Sequence, residues 1–377
     1  MHVVFICNEY PPPPVGGIGS VVATLADRYV AAGHEVSIIG LCDEPGFAED
    51  NGVRIYRLAW PRPLKFTMWL SARRALRREL AALHARQPIH VIEWPDYQGW
   101  FWRPIPGVTD LVRLHGTHAV LWHVDACPRD RVMETFEIRM LRRVPNWIGC
   151  SQWITDVTKQ VSRWTPEKNA VIYNPVDVES FLPGEREPGP PIVMYVGGLK
   201  RQKGAIHLVH IARQVWKTLP ETRFMFAGPP ADLDERDIRA ETGETSDRLI
   251  FTGGLPQHEI ADRLRRASLL VAPSFFEAFS IAWIEALASG VPVVGTNLVA
   301  GPEIVRDGVD GLLADPRNTE DFAEKIVRLL KDDTLRRKMG EAGRARAVRE
   351  FAPNVVAEKS LSFYRECIER APRAATS

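Results

Sequence analysis

Short β-branched apolar runs recur along this chain with helix-patterned stretches between them, and that alternation leaves few folds open. VVFIC (3–7), EVSIIG (35–40), VRIYRL (53–58), IHVIEW (89–94), LVRLHG (111–116) and NWIGC (146–150) form one series. IVMYVGG (192–198), RFMFAG (223–228), RLIFTGG (248–254), SLLVAP (268–273), VPVVGT (291–296) and DGLLAD (310–315) form a second. Near-continuous apolarity is what strands covered on both faces of a parallel sheet require. Two α/β domains are therefore predicted. A chain of 377 residues is too long for one core, and its 45% apolar content suffices for two.

Between the series lies VESFLPGEREPGPP (178–191), rich in proline, glycine and charge, which reads as an exposed linker. It separates a first domain, 1–177, from a second, 192–352. The stretch FAPNVVAEKSLSFYRECIER (351–370) has helical periodicity with no strand after it, so it can pack on either domain.

Lysine plus arginine (48) nearly balance aspartate plus glutamate (47), so no global field points to nucleic acid. Five cysteines are scattered without a CxxC pair, and no apolar run approaches a membrane span. The N-terminus opens at VVFIC without the succession of a signal peptide. A reduced, cytoplasmic protein is expected.

Ligands of open α/β sheets bind beyond the carboxyl ends of the strands, and the candidate residues fall there. PPPPVGGIGS (11–20) follows the first strand and opens a helix. Its glycines, Gly17 among them, let backbone amides approach an anion, though a plain tight turn reads the same way. In VGGLKRQKGAIHL (196–208), Lys200, Arg201 and Lys203 crowd a glycine-rich turn before a helix; this suits a diphosphate, though a solvated basic turn is the commoner feature in proteins generally. His115 ends a strand, where a lone histidine is more often structural than catalytic.

FFEAFSIAWIEALASGVPVVGT (275–296) poses a sharper problem. From Ser280 to Gly290 every residue but Glu285 is apolar or small, so the helix is buried and carries a carboxylate. If one helix held both Glu277 and Glu285, eight steps of about 100° would set them about 80° apart. A break solves this. Ser280 is a good N-cap and Gly290 a good helix end, placing Glu277 in a loop, Glu285 in the helix and free amides at 280–282 for phosphate. The two carboxylates then accept hydrogen bonds from hydroxyl pairs. A structural ion pair is the alternative, and it needs a lysine or arginine nearby.

Together PPPPVGGIG, AAGHEVSII, RLHG, CS before a helix, VIYNPVD, VGGLKRQKG, FAGP, FTGGL and FEAFSIAWIEALASGVPVV resemble retaining glycosyltransferases of family 4 over nearly the whole chain. The resemblance implies the GT-B fold, two facing Rossmann-like domains with an interdomain cleft. The first domain would bind acceptor, the second a nucleotide-diphosphate sugar, and residues 353–373 would cross back onto the first. By the same resemblance, Glu285 binds the donor ribose, Glu277 a hydroxyl of the transferred sugar, and the amides near Ser280 and Ile281 the diphosphate. Gly17 and Lys203 complete the phosphate site, Leu255 contacts the base, and His115 stands near the reacting sugar. The implied activity is hexosyl transfer with retention, to a glycan or lipid-linked acceptor, in polysaccharide biosynthesis. No metal or other cofactor is expected, and Asp232 and Asp234 of ADLDE read as solvated charge. A nucleotide-sugar epimerase or a non-catalytic nucleotide-binding scaffold of the same architecture are the alternatives.

The chain departs from the family at Gly198, where arginine is common, and Arg201 or Lys200 are candidates to replace that phosphate contact, Arg201 first because its guanidinium forks. Residues 60–80 carry six basic residues against Glu79 alone, with Trp60, Phe66, Met68 and Trp69 among them. Two readings stand: peripheral contact with an anionic membrane at its inner face, or an amphipathic helix whose arginines face water.

Overall fold

A computed structural model of the chain describes residues 1–11, 16–61, 68–101, 103–185 and 189–370. The chain divides into two compact units, Met1–Pro175 with Pro353–Ser377, and Val176–Ala352.

The first unit is built on an eight-stranded sheet of β1 (His2–Ile6), β2 (Glu35–Cys42), β3 (Gly46–Asp50), β4 (Val53–Ala59), β5 (Val91–Pro95), β6 (Thr109–Leu114), β7 (Asn146–Gly149) and β8 (Lys168–Val171). The order is β3-β4-β2-β1-β5-β6-β7-β8, parallel except for the β3–β4 pair. Strand order reverses at β1, where Val3 pairs with Val36 on one side and Val91 on the other. All six predicted strands of this series form. β3 and β8 were not predicted, because GFAED and KNAV are short, largely solvent-facing edge strands without an apolar run.

The second unit holds a six-stranded, wholly parallel sheet of β9 (Ile192–Val196), β10 (Arg223–Ala227), β11 (Leu249–Gly253), β12 (Leu269–Ala272), β13 (Val293–Thr296) and β14 (Gly311–Ala314). The order is β11-β10-β9-β12-β13-β14, and Val193 of β9 pairs with both Phe224 and Leu269. On one face, Leu208 and Ile211 of the helix Ala205–Trp216 and Phe322 and Ile326 of the helix Thr319–Lys331 close over Val193, Phe226 and Val294.

Residues 178–191 are not wholly the exposed linker their composition suggests. The second unit begins at Val176, whose amide donates to the Phe351 carbonyl. Phe181 is fully buried, and the Arg344 guanidinium donates to the carbonyls of Val178, Phe181 and Ala288 at 2.8–2.9 Å. One buried aromatic and one arginine thus tie the start of this stretch to the second unit.

The helix Pro353–Arg370 belongs to the first unit. Tyr364 meets Tyr29 edge to face at 5.9 Å, and its hydroxyl donates to Glu93. Glu93 is also forked by Arg113 at 2.7 and 3.0 Å, and Arg113 reaches Ser360 at 3.3 Å. A buried ion pair, extended by two hydroxyls of the helix, holds the helix in place, with Arg113 Nη1 left without a hydrogen-bond partner.

Candidate active site

Apart from Leu255, which follows β11, the candidate residues of the second unit follow β9 and β12, where the strand order reverses and an open parallel sheet offers a place for a ligand. After β9 the chain makes a tight turn, Arg201–Lys203, and meets the end of β12. Gly204 makes this approach possible: its φ is +73°, and a Cβ there would stand 2.1 Å from the Pro273 carbonyl oxygen. The Phe275 amide then donates to the Gln202 carbonyl at 2.8 Å, binding turn and loop together. Lys203 is thereby set beside Glu277, Nζ to Oε1 3.4 Å, and the Ser274 hydroxyl donates to the same carboxylate at 3.3 Å.

Glu277 lies in the loop and Glu285 inside the helix Ile281–Ala288, so the break between them is real. Each is 8% exposed. Ser280 occupies the N-cap position, but its side chain makes no capping bond, contrary to the role its chemistry suggests. The first-turn amides therefore take no acceptor from it. Glu285 has no cation beside it among the described residues. Burial pushes its carboxyl up to about 7, opposed only by Gln257, whose amide approaches at a long 3.5 Å. Gln257 opens the helix that follows Leu255 and was missed in the sequence; its one signal is its place after FTGGL.

Arg201 is not free for phosphate. Its guanidinium forks onto Glu241, with Nη1 at 2.8 Å, and its backbone amide donates to Asp232. Asp234 caps the helix Glu235–Thr242 in a capping box. Lys200 lies elsewhere: its Cε stands 3.9 Å from a Cβ built on Gly198.

In the first unit, Gly17 opens the helix Gly17–Ala31 after β1. A carboxylate of the chain itself already covers that helix start: a Cβ on Gly16 would fall 2.0 Å from Glu9 Oε2. Burial raises the Glu9 carboxyl, and the Gly19 backbone partly offsets this. His115 follows β6 and keeps some exposure, while burial and the neighbouring Arg113 charge push it down to about 3, leaving it neutral. Two buried carboxylates frame its loop, neither singled out from sequence. Asp96, after β5, accepts from the Gly116 amide at 2.9 Å and is pushed up to about 6 by burial. Glu137 accepts from the amides of Gln98 and His118 at 2.9 and 2.7 Å, and burial, aided by the Asp96 charge, lifts it to about 8.

The basic stretch 60–80 falls partly outside the described residues. In the helix Met68–Arg86, Arg74 and Arg78 are exposed, but Arg73 is buried and Arg77 donates to the carbonyls of Arg103 and Pro104. A uniform basic surface is not what these side chains form. Among the described residues no helix is long and apolar enough to cross a membrane.

The chain matches the family model of group 1 glycosyl transferases over residues 179–346 and that of glycosyltransferase family 4 over residues 15–180. It is 26% identical over 393 residues to a glycogen synthase of Mycobacterium tuberculosis, a match spanning 97% of this chain and 94% of the relative. It is 32% identical over 240 residues to an alpha-maltose-1-phosphate synthase of Mycolicibacterium smegmatis, spanning 56% and 60%. Its fold is similar to that of a sucrose-phosphate synthase from Thermosynechococcus elongatus, with TM-score 0.83, 22% identity and coverage of 98% and 100%. An Anabaena protein solved with UDP and glucose is similar at TM-score 0.74 and 17% identity, with coverage of 96% and 98%. Two family models that meet at residues 179–180, on a fold shared with solved sugar-transferring enzymes, make this chain a glycosyltransferase belonging to family 4.

Proposed function

We propose that the chain transfers a hexosyl group from a nucleotide-diphosphate sugar to an acceptor hydroxyl of a glycan or lipid-linked precursor, with retention at the anomeric carbon and without a metal. The observation that carries this reading is the Lys203–Glu277 pair at 3.4 Å, set immediately before the uncapped helix Ile281–Ala288. Lys203 and the helix amides supply positive potential for the oxygen that becomes negative as the bond between C1 and diphosphate breaks. Glu277 accepts from a hydroxyl of the sugar, and Glu285 from the ribose. In the retaining step the acceptor oxygen bonds to C1 on the face the diphosphate leaves, and its proton passes to the departing phosphate oxygen. His115, held neutral, donates or accepts one hydrogen bond near the sugar without adding charge.

The donor class is supported by the Anabaena neighbour solved with UDP and glucose, and the glycan acceptor by a relative named as a glycogen synthase. A panel of nucleotide sugars with glycan and lipid-linked acceptors, read by mass spectrometry and by NMR of the new anomeric centre, tests it. Inversion at that centre overturns retention. Activity lost to a chelator and restored by Mg²⁺ overturns metal independence. Conversion of donor without acceptor shows an epimerase instead.

A further inference from the structure

Among the described residues, four arginines are deeply buried: Arg73, Arg113, Arg336 and Arg346. Three have carboxylates: Arg113 pairs with Glu93, Arg336 with Asp333, and Arg346 with Glu350 and Asp310. Arg73 has none among the described residues. It is 6% exposed, its Nε has no hydrogen-bond partner, and its guanidinium carbon lies 4.3 Å from the centre of the Phe136 ring. A buried cation is costly unless paired, so the position demands a counter-charge.

Arg73 lines a pocket of about 300 Å³ in the first unit, between the helices Met68–Arg86 and Arg131–Leu141. Arg103, Arg139 and Arg143 line it too, all three exposed, and no acidic residue does. The charges of Arg143 and Arg139 reach Arg73, which burial and they together push down to about 10. Like charges around one pocket repel one another, and an anion shared between them relieves that repulsion. Leu70, Phe101 and Met140 supply apolar wall. With Arg73 stacked on Phe136, its planar edge remains available to donate in a fork, the geometry that phosphate oxygens accept.

We propose that this pocket binds a phosphate-bearing molecule, with Arg73 beneath and Arg103, Arg139 and Arg143 around the anion. The site is separate from the residues assigned to the donor, which, Gly17 apart, belong to the other unit. It also uses a different face of the helix Arg131–Leu141 from Glu137, which bonds the amides of Gln98 and His118. The phosphate arrives either on a soluble metabolite or as a lipid headgroup.

The full chain is titrated calorimetrically with inorganic pyrophosphate, and sedimented with phosphatidylcholine vesicles with and without phosphatidic acid. Wild type is compared with Arg139→Gln/Arg143→Gln, with Arg139→Glu and with Lys203→Ala. Arg139 and Arg143 are exposed, so their exchange leaves the core intact. Pyrophosphate binding weakened at least tenfold in the double variant but kept in Lys203→Ala supports the proposal with a soluble phosphate as source. Vesicle binding that needs phosphatidic acid and disappears in the double variant, with pyrophosphate binding unchanged there, supports it with a headgroup as source. Arg139→Glu supplies the missing anion and is expected to raise Tm without ligand. Pyrophosphate and vesicle binding both unchanged in the double variant overturns the proposal.

Discussion

The Lys203 ammonium stands 3.4 Å from the Glu277 carboxylate, close enough to attract it and too far for a strong hydrogen bond. Each charge thus keeps bonding capacity for a ligand: the lysine for phosphate oxygen, the carboxylate for hydroxyl. The loop fixes both, because Phe275 is hydrogen-bonded to Gln202 and Gly204 lies against Pro273.

If that division holds, Glu277→Gln and Glu285→Gln fail differently. Glu277→Gln is expected to lower kcat about a hundredfold while leaving affinity for the free nucleotide diphosphate within about threefold. Glu285→Gln is expected to weaken that affinity about tenfold, the worth of a hydrogen bond to a charged group. Calorimetry with the bare diphosphate separates them, and equal losses in the two variants contradict the assignment.

Glu285 also predicts a pH dependence of the unliganded protein. Its folded value is raised to about 7 by burial, so its neutral form is the one the fold favours. The stability linked to this group is fully present below the ordinary glutamate value and is lost as pH rises through about 7. Glu285→Gln is therefore expected to be more stable than wild type at pH 8, by up to about 3 kcal/mol, and to unfold at higher temperature, with the difference shrinking toward pH 5. Asp96 and Glu137 titrate in the same range, so thermal scans must be read as wild type minus variant. A difference that does not change with pH contradicts the prediction.

The strands were legible wherever burial on both faces wrote an apolar run, as in VVFIC and SLLVAP. They were illegible at β3 and β8, where edge position removes that demand. In the site, Glu277 and Glu285 stood out as lone carboxylates in apolar sequence. Asp96 and Glu137 did not, because their partners are backbone amides of loops distant in sequence. Composition read 178–191 as exposed, which most of its described residues are, but it could not show Phe181, whose burial and contact with Arg344 exist only in three dimensions. The basic helix showed its arginines but not which way they faced: Arg73 and Arg74 are neighbours in sequence, one buried and one exposed.

The Arg113–Glu93 pair that holds the C-terminal helix gives a stability prediction. Arg113→Met leaves Glu93 buried with only the Tyr364 hydroxyl, an uncompensated charge that costs about 3–5 kcal/mol. Arg113→Met/Glu93→Leu removes both charges and is expected to recover most of that loss. Denaturant unfolding checks this; a double variant as unstable as the single one shows that packing, not charge, dominates.

The last prediction concerns Gly198, where related enzymes commonly carry arginine. Phosphate leaving with one donor fewer costs about 3 kcal/mol in the barrier, so a substitute cation is expected in the turn. Arg201, with the better chemistry, is held by Glu241 and has a 57% exposed side chain. Lys200 is the one placed at the gap, with Cε 3.9 Å from a Cβ on Gly198. The nearest other atoms to a Cβ at Gly198 are Ala231 Cβ at 3.6 Å and the Pro229 carbonyl oxygen at 3.8 Å, ordinary contacts for a side chain's first atom. Arg201→Ala is therefore expected to leave kcat within about twofold, Lys200→Ala to lower it about tenfold, and Lys203→Ala about a hundredfold. Gly198→Arg should rescue the Lys200→Ala enzyme more than it accelerates wild type, because it fills the place that Lys200 serves. Steady-state kinetics on the variants decides the matter: if Arg201→Ala is the damaging substitution, the Glu241 contact opens during turnover and the assignment to Lys200 is wrong.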